Sequence, residues 1–188
     1  MNIANKLTLL RVILVFVFMG VIWLPLTLST NVMLTIALSI FIIASITDFL
    51  DGYLARRLNL ITNLGKFMDP LADKMLVTAA MLAVIDLGSK QLLPSGDLPT
   101  WIVVTILLRE FMVSGVRLIA ANDNHVIAAS NLGKIKTVIQ MVMIVVYLLP
   151  LNMPILPVIA IILAYLALIL TVASGMEYLW KNKAIFKI

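Results

Sequence analysis

The sequence predicts an all-α integral membrane protein: a bundle of six transmembrane helices with both termini in the cytoplasm. Hydrophobic residues make up 63% of the 188 residues, whereas soluble domains contain roughly 45–50%, and the mean hydropathy is +1.13. Crossing about 30 Å of hydrocarbon takes roughly 20 residues, and apolar runs of about that length recur along the whole chain. A single membrane domain, residues 1–188, therefore accounts for the sequence.

The apolar runs define the six elements. In chain order they cover residues 7–28, 32–58, 67–87, 99–122, 132–150 and 154–180. The first run follows Lys6 and loosely resembles a secretory signal, but no clear small-residue cleavage site follows it, so we interpret it as a retained span. The second ends and the third begins in acidic segments. The fourth begins near Trp101 and the sixth ends at Trp180, which are expected to lie at headgroup depth.

The positive charges indicate the orientation of the bundle. Lysine and arginine cluster at one set of predicted span ends: Lys6, Arg11, Arg56, Arg57, Lys66, Lys74, Arg117, Lys134, Lys136, Lys181, Lys183 and Lys187. The opposite side offers only Lys90. The positive-inside rule therefore places both termini in the cytoplasm, in a multi-pass protein of the inner (cytoplasmic) membrane. The net charge of +5 suits anionic lipid and does not indicate nucleic-acid binding.

Two acidic residues, Asp48 and Asp51, follow the apolar part of the second run. At the bilayer centre they would cost about 5–7 kcal/mol together. The apolar residues of 32–46 would return only about 3–5 kcal/mol. These carboxylates therefore lie near the cytoplasmic end of the span or face a polar interior.

Helical spacing groups the acids with small residues. Asp48, Asp51, Gly52 and Ala55 share one face of the second helix, and Gly65, Asp69 and Asp73 share one face of the third. The connection between the two helices is short, which predicts antiparallel neighbours and four converging carboxylates. Such carboxylates repel each other unless hard divalent cations lie between them. Since cysteine is absent, thiolate metal sites are excluded.

Two oxygen-bound cations are a known device for displacement at phosphorus. The small residues would let a bulky ligand lie against the helix backbones, and the Arg56 guanidinium would meet a phosphate. Two other interpretations exist. The acids could form ion pairs with nearby lysine and arginine in a solvated loop, or they could line the pathway of an ion transporter, although no inverted repeat or broken paired helices are visible.

The complete acidic pattern resembles a known signature. Asp48, Asp51-Gly52, Ala55-Arg56, Gly65, Asp69 and Asp73 match every signature position of the CDP-alcohol phosphotransferase family. The resemblance implies a membrane enzyme that transfers the phosphatidyl group of CDP-diacylglycerol to an alcohol and releases CMP. It also implies two Mg²⁺ or Mn²⁺ ions on Asp48, Asp51, Asp69 and Asp73, with Asp73 as the general base. The cytidine diphosphate part would contact Asn5, Thr8, Gly52, Ala55, Arg56 and Gly65. Together with Asn5 and Thr8, Arg11 belongs to a segment that resembles the one beside the nucleotide in this family. For Asn5 and Arg11, a helix N-cap and a juxtamembrane arginine are alternatives.

A second polar cluster concerns the acceptor. Its cations are Arg109, Arg117, Lys134 and Lys136, and these predict an anionic alcohol that carries its own phosphate. The segments Leu108-Arg109-Glu110-Phe111 and Gly133-Lys134-Ile135-Lys136-Thr137 resemble the bacterial phosphatidylglycerophosphate synthase subgroup, whose acceptor is sn-glycerol 3-phosphate. Inositol phosphate and phosphatidylglycerol are alternative acceptors. A simpler interpretation is positive-inside charge plus an Arg109–Glu110 pair.

Small residues on the third and fourth runs permit close helix contact. They are Ala79, Ala83, Ser114 and Gly115. Such contact would be compatible with packing within one chain or between the two chains of a homodimer.

Overall fold

The fold is a bundle of six α-helices within the residues that the computed structural model describes. The backbone is described at residues 3–25, 27–58, 63–122 and 131–182, and the side chains at 8–25, 27–47, 74–117 and 131–182. The helices are α1 (Ile3–Trp23), α2 (Thr30–Leu58), α3 (Asn63–Ser89), α4 (Thr100–Asn122), α5 (Asn131–Leu148) and α6 (Leu156–Lys181). Each predicted run overlaps one helix, so the all-α class is confirmed.

The described helices differ in how well they suit a membrane. Three contain segments that are long and apolar enough to cross it, namely Thr30–Thr47, Asn131–Leu148 and Leu156–Lys181. The apolar part of α1, Thr8–Trp23, is shorter. The coarse prediction of an all-helical chain with membrane-spanning segments therefore agrees with the structure, and the count of six spans remains a prediction.

Prolines set several helix ends. The first apolar run extends to residue 28, but α1 ends at Trp23 because Pro25 disfavours a helical conformation at the preceding residue. In the same way α5 ends at Leu148, shortly before Pro150. Pro157 lies in the first turn of α6, where a missing N–H donor leaves no hydrogen bond unmade.

The core lies between the helices, and the outer surface is apolar. α1 packs against α2 and α3, while α6 packs against α4 and α5. Along α6 the small residues Ala160, Ala164 and Ala167 are fully buried, which allows close helix approach. Large apolar side chains such as Phe16 and Ile162 are exposed. An apolar exterior of this extent suits contact with lipid.

Hydrogen bonds fix which helix ends lie together. The Trp23 indole at the end of α1 donates to Asp86 near the end of α3, at 2.9 Å. The Ser95 hydroxyl, between α3 and α4, donates to the Tyr147 carbonyl near the end of α5, at 2.7 Å. The ends of α1, α3 and α5 therefore share one end of the bundle, and the beginnings of α3 and α5 lie at the other.

Candidate active site

The acidic signature is divided between two helices that contact each other. Asp48, Asp51, Gly52, Ala55 and Arg56 lie in the last part of α2, and Gly65, Asp69 and Asp73 lie in the first part of α3. The backbone is helical at all these positions. The assumption of helical geometry, from which the shared faces are predicted, is therefore confirmed. The side chains of these residues, and that of Asn5, lie outside the described part of the structure. Their convergence on metal ions remains a prediction.

Oxygen donors of this kind fit the implied ions. Carboxylates are the ligands that Mg²⁺ and Mn²⁺ prefer, and four of them lie on two contacting helices. Among the side chains that are described, no group of three acidic, histidine or cysteine residues forms another candidate metal site. That the signature aspartates hold the metal ions stays a prediction.

Two residues of the segment of α1 that is predicted to lie beside the nucleotide are described. Thr8 and Arg11 are 3% and 1% exposed, respectively, so both side chains face the interior of the bundle. A juxtamembrane arginine that only met lipid headgroups would be exposed. The burial of Arg11 thus favours an internal role.

The second polar cluster is organised around the carboxylate of Glu110 on α4. One carboxylate oxygen, Oε1, accepts from the Arg109 guanidinium at 3.1 Å and pairs with the Lys136 ammonium. The Lys136 side chain, at the beginning of α5, is only 4% exposed. Glu110 therefore supplies the counter-charge for a lysine held inside the bundle.

Lys74 joins this cluster to the acidic signature. Its ammonium donates to the Glu110 carbonyl at 3.0 Å and to the Ser114 hydroxyl. Lys74 directly follows Asp73 in α3. The part of α3 that bears Asp73 is therefore fixed beside the part of α4 that bears Arg109 and Glu110.

Buried polar groups of α5 and α6 complete the surroundings of the cluster. Arg109 donates to the Ser174 hydroxyl at 3.0 Å. Gln140 donates to the Thr171 hydroxyl at 3.1 Å, and Thr171 donates to the carbonyl of Ala167 at 2.6 Å. Helices α3, α4, α5 and α6 thus meet at one polar centre.

A small cavity opens beside this centre. Its volume is ≈ 30 Å³, and its polar lining comes from Lys74, Glu110, Lys136, Thr137 and Gln140. This volume holds about one or two water molecules. Among the described side chains three cations lie around one carboxylate, so the described part of the centre carries net positive charge and suits an anion.

The four cations predicted to bind the acceptor have different surroundings. Arg109 and Lys136 are brought together on Glu110, whereas Arg117 and Lys134 are exposed. The Arg117 guanidinium lies 5.6 Å from the centre of the Tyr178 ring. The Arg109–Glu110 pair of the simpler interpretation is also present, as one of the contacts within the cluster.

Sequence reasoning missed the place of Lys74 in this cluster, since it treats Lys74 as a positive-inside charge and as a possible ion-pair partner of the acids. A signal was available: Lys74 lies within the predicted third span, where an unpaired cation is costly. Ser114 and Ser174 carried no comparable signal.

An apolar groove lies between α2 and α5. Its volume is ≈ 330 Å³, and it is lined by Phe41, Ile42, Ser45, Ile46, Met141, Val142 and Val145. Ser45 precedes Asp48 by about one helical turn. The groove therefore runs along α2 towards the acidic signature.

Comparison with known proteins agrees with this arrangement. The sequence model of the CDP-alcohol phosphatidyltransferase family matches residues 1–173. The chain is similar to the CDP-diacylglycerol--glycerol-3-phosphate 3-phosphatidyltransferase of Bacillus subtilis, with 42% identity over 192 residues that cover 96% of this chain and 95% of the relative. A Mycobacterium tuberculosis protein named as a probable phosphatidylglycerophosphate synthase is 41% identical over 94% of this chain and 79% of its own.

A third relative, from Shigella flexneri, has the same name as the Bacillus protein. It is 36% identical over 97% of this chain and 96% of its own length. The family match covers both the acidic signature and the cationic cluster. The chain belongs to the CDP-alcohol phosphatidyltransferase family.

Proposed function

We propose that this enzyme transfers the phosphatidyl group of CDP-diacylglycerol to sn-glycerol 3-phosphate, forming phosphatidylglycerophosphate and CMP. The observation that supports this proposal best is the cationic centre around Glu110, which Lys74 joins to the segment bearing Asp73. A positive centre next to the catalytic segment suits an acceptor that carries a phosphate. The names of the Bacillus and Shigella relatives describe the same reaction.

All six helices are proposed to span the membrane, with both termini and the active site on the cytoplasmic side. The lysine and arginine distribution supports this orientation. In the structure, Lys136 and Ser174 lie towards the end of the bundle at which α5 begins and α6 ends, and Lys74 and Glu110 lie near the middles of α3 and α4. Glycerol 3-phosphate is water-soluble, so it would reach this end of the bundle from the cytoplasm.

The donor would bind across α1, α2 and α3. The cytidine diphosphate part would contact Asn5, Thr8, Gly52, Ala55, Arg56 and Gly65. Asp48, Asp51, Asp69 and Asp73 would hold two Mg²⁺ or Mn²⁺ ions, which supply charge neutralisation at the diphosphate. The apolar groove beside Ser45 and Val142 suits an acyl chain of the donor, because its lining is apolar and it runs towards Asp48.

The chemical step requires one proton acceptor. Asp73 would take the proton from an acceptor hydroxyl, whose oxygen then attacks the β-phosphorus of the donor, and CMP leaves. A covalent enzyme intermediate is not needed. The acceptor phosphate would bind Arg109 and Lys136, with the exposed Arg117 and Lys134 attracting it towards the cluster.

An acceptor screen on the purified protein tests this function. CMP release from labelled CDP-diacylglycerol is measured with glycerol 3-phosphate, inositol phosphate, serine or phosphatidylglycerol, with and without Mg²⁺. We expect release only when donor, metal and glycerol 3-phosphate are all present, and loss of activity on chelation. Preference for inositol phosphate would change the acceptor assignment. Ion movement across sealed vesicles without donor, and no CMP release, would favour the transporter interpretation.

A further inference from the structure

The last turns of α6 contact the arginines of α4. Ser174, Gly175 and Tyr178 are buried on this face. None of them belongs to the acidic signature or to the predicted acceptor cations. Ser174 contacts Arg109. One turn further along α6, the Tyr178 ring lies under the guanidinium of Arg117. This face of α6 is therefore the surface against which two acceptor-site cations lie.

Gly175 leaves the space that the Arg109 side chain occupies. A Cβ atom added at Gly175 would lie 3.0 Å from Arg109 Cγ and 3.2 Å from Arg109 Nε. Since such contacts are tighter than side chains normally make, a methyl group at this position would require the Arg109 side chain to shift by a few tenths of an ångström. The absence of a side chain at Gly175 fixes the path of Arg109.

Ser174 fixes the end of the same side chain. Its hydroxyl accepts from Arg109 Nη2 at 3.0 Å, and Glu110 accepts from Nη1 at 3.1 Å. The guanidinium is thus held from two sides. Within the described residues, Arg109 Nε is buried without a hydrogen-bond partner. Each of the two terminal nitrogens carries a second N–H, and a phosphate oxygen is a suitable acceptor for such a donor.

We propose that Ser174 and Gly175 are positioning residues for the acceptor phosphate, which act by holding the Arg109 guanidinium in place. This inference depends on the proposed function, because it assigns Arg109 to the acceptor. It extends the acceptor site to α6, a helix without signature residues. These two positions set the affinity for glycerol 3-phosphate and leave that for CDP-diacylglycerol unchanged.

Kinetics of Gly175→Ala test this inference. We expect KM for glycerol 3-phosphate to rise about tenfold, as for loss of a hydrogen bond to a charged group, with KM for the donor nearly unchanged. Gly115→Ala is the matched control, since no atom lies within 4 Å of a Cβ added at Gly115. Alanine favours helix over glycine, so helix propensity alone predicts no loss in either variant. Ser174→Ala should raise the same KM.

A double-mutant cycle separates positioning from general damage. In an Arg109→Ala background, Gly175→Ala should have no further effect on KM for glycerol 3-phosphate, because the residue it positions is absent. Equal effects of Gly175→Ala with and without Arg109, or a wild-type KM in the single variant, would overturn the inference while the proposed function stands. If the wild-type protein releases no CMP with glycerol 3-phosphate, the proposed function itself fails.

Discussion

At the scale of single residues, Glu110 is the acceptor that allows cationic side chains to lie inside the bundle. Its carboxylate accepts from both Arg109 and Lys136, and its carbonyl accepts from Lys74. A buried ion pair adds little net stability, but removal of one partner leaves the other uncompensated. The cluster is therefore a fixed positive centre for an anion, and its parts cannot be removed independently.

Substitution of Lys136 tests this coupling. Lys136→Gln should lower the free energy of unfolding by about 2 kcal/mol, less than for an isolated buried pair because Glu110 keeps Arg109. Lys181→Gln is the matched control, since the Lys181 side chain is 65% exposed and pairs with Glu177; its cost should be about 0–1 kcal/mol. Denaturation in detergent, followed by circular dichroism, measures both. Equal costs would contradict the interior role of the Lys136 pair.

The proposed base makes a kinetic prediction. Asp73→Asn should reduce CMP release about a hundredfold or more, the usual loss for a general base, while much of the binding of CDP-diacylglycerol remains. The matched control is Asp86→Asn, at the other end of α3, where the carboxylate accepts from Trp23; its turnover should stay near that of the wild type. Steady-state CMP release and donor binding are measured for both variants. Near-normal turnover in Asp73→Asn would remove its role as base.

What the sequence reveals at this scale follows from local spacing. The i, i+3 and i, i+4 positions of the aspartates predict their shared faces, and the helical backbone of α2 and α3 agrees. The sequence alone predicts an Arg109–Glu110 pair as the simpler interpretation of this cluster, because the two residues are neighbours in the chain. The contact of Arg109 with Ser174 joins residues 65 positions apart. No spacing rule reaches that far, so this contact needs the packed helices.

At the scale of helices, the apolar runs of the sequence predict that a helix exists better than they predict the residue at which it ends. Length and hydropathy indicate each of the six elements because lipid-facing helices are apolar over most of their surface. The end of α1 is different: apolar residues continue past Trp23, but Pro25 stops the helix before them. Local backbone chemistry therefore overrides hydropathy at this boundary.

Different helices supply different groups of the proposed site. α2 and α3 bear the signature acids, α3, α4 and α5 bear the cations, and α6 supplies small residues against which Arg109 lies. Burial of Ala160, Ala164 and Ala167 brings α6 close to its neighbours. The same property, small side chains, serves packing in the middle of α6 and arginine placement near its end.

At the scale of the whole molecule, polarity is inverted relative to a soluble protein. Large apolar side chains cover the exterior, whereas Arg11, Lys136, Gln140, Thr171 and Ser174 are buried. Charged groups within such a bundle are expensive, which is why they commonly mark functional sites. The described polar cluster lies towards the end of the bundle at which α5 begins and α6 ends. The proposed reaction belongs to that end.

The orientation of the two ends of the bundle in the membrane is directly testable. Since the chain contains no cysteine, single introduced cysteines report sidedness without background. Met153, between α5 and α6, is 53% exposed, and Lys181 is exposed at the end of α6. In intact bacterial cells a membrane-impermeant maleimide should label Met153→Cys but not Lys181→Cys, and permeabilisation should expose both. The cysteine-free parent is the control for unspecific labelling. Labelling of Lys181→Cys in intact cells would place the C-terminus and the cationic centre outside, where the proposed reaction would lack its cytoplasmic acceptor.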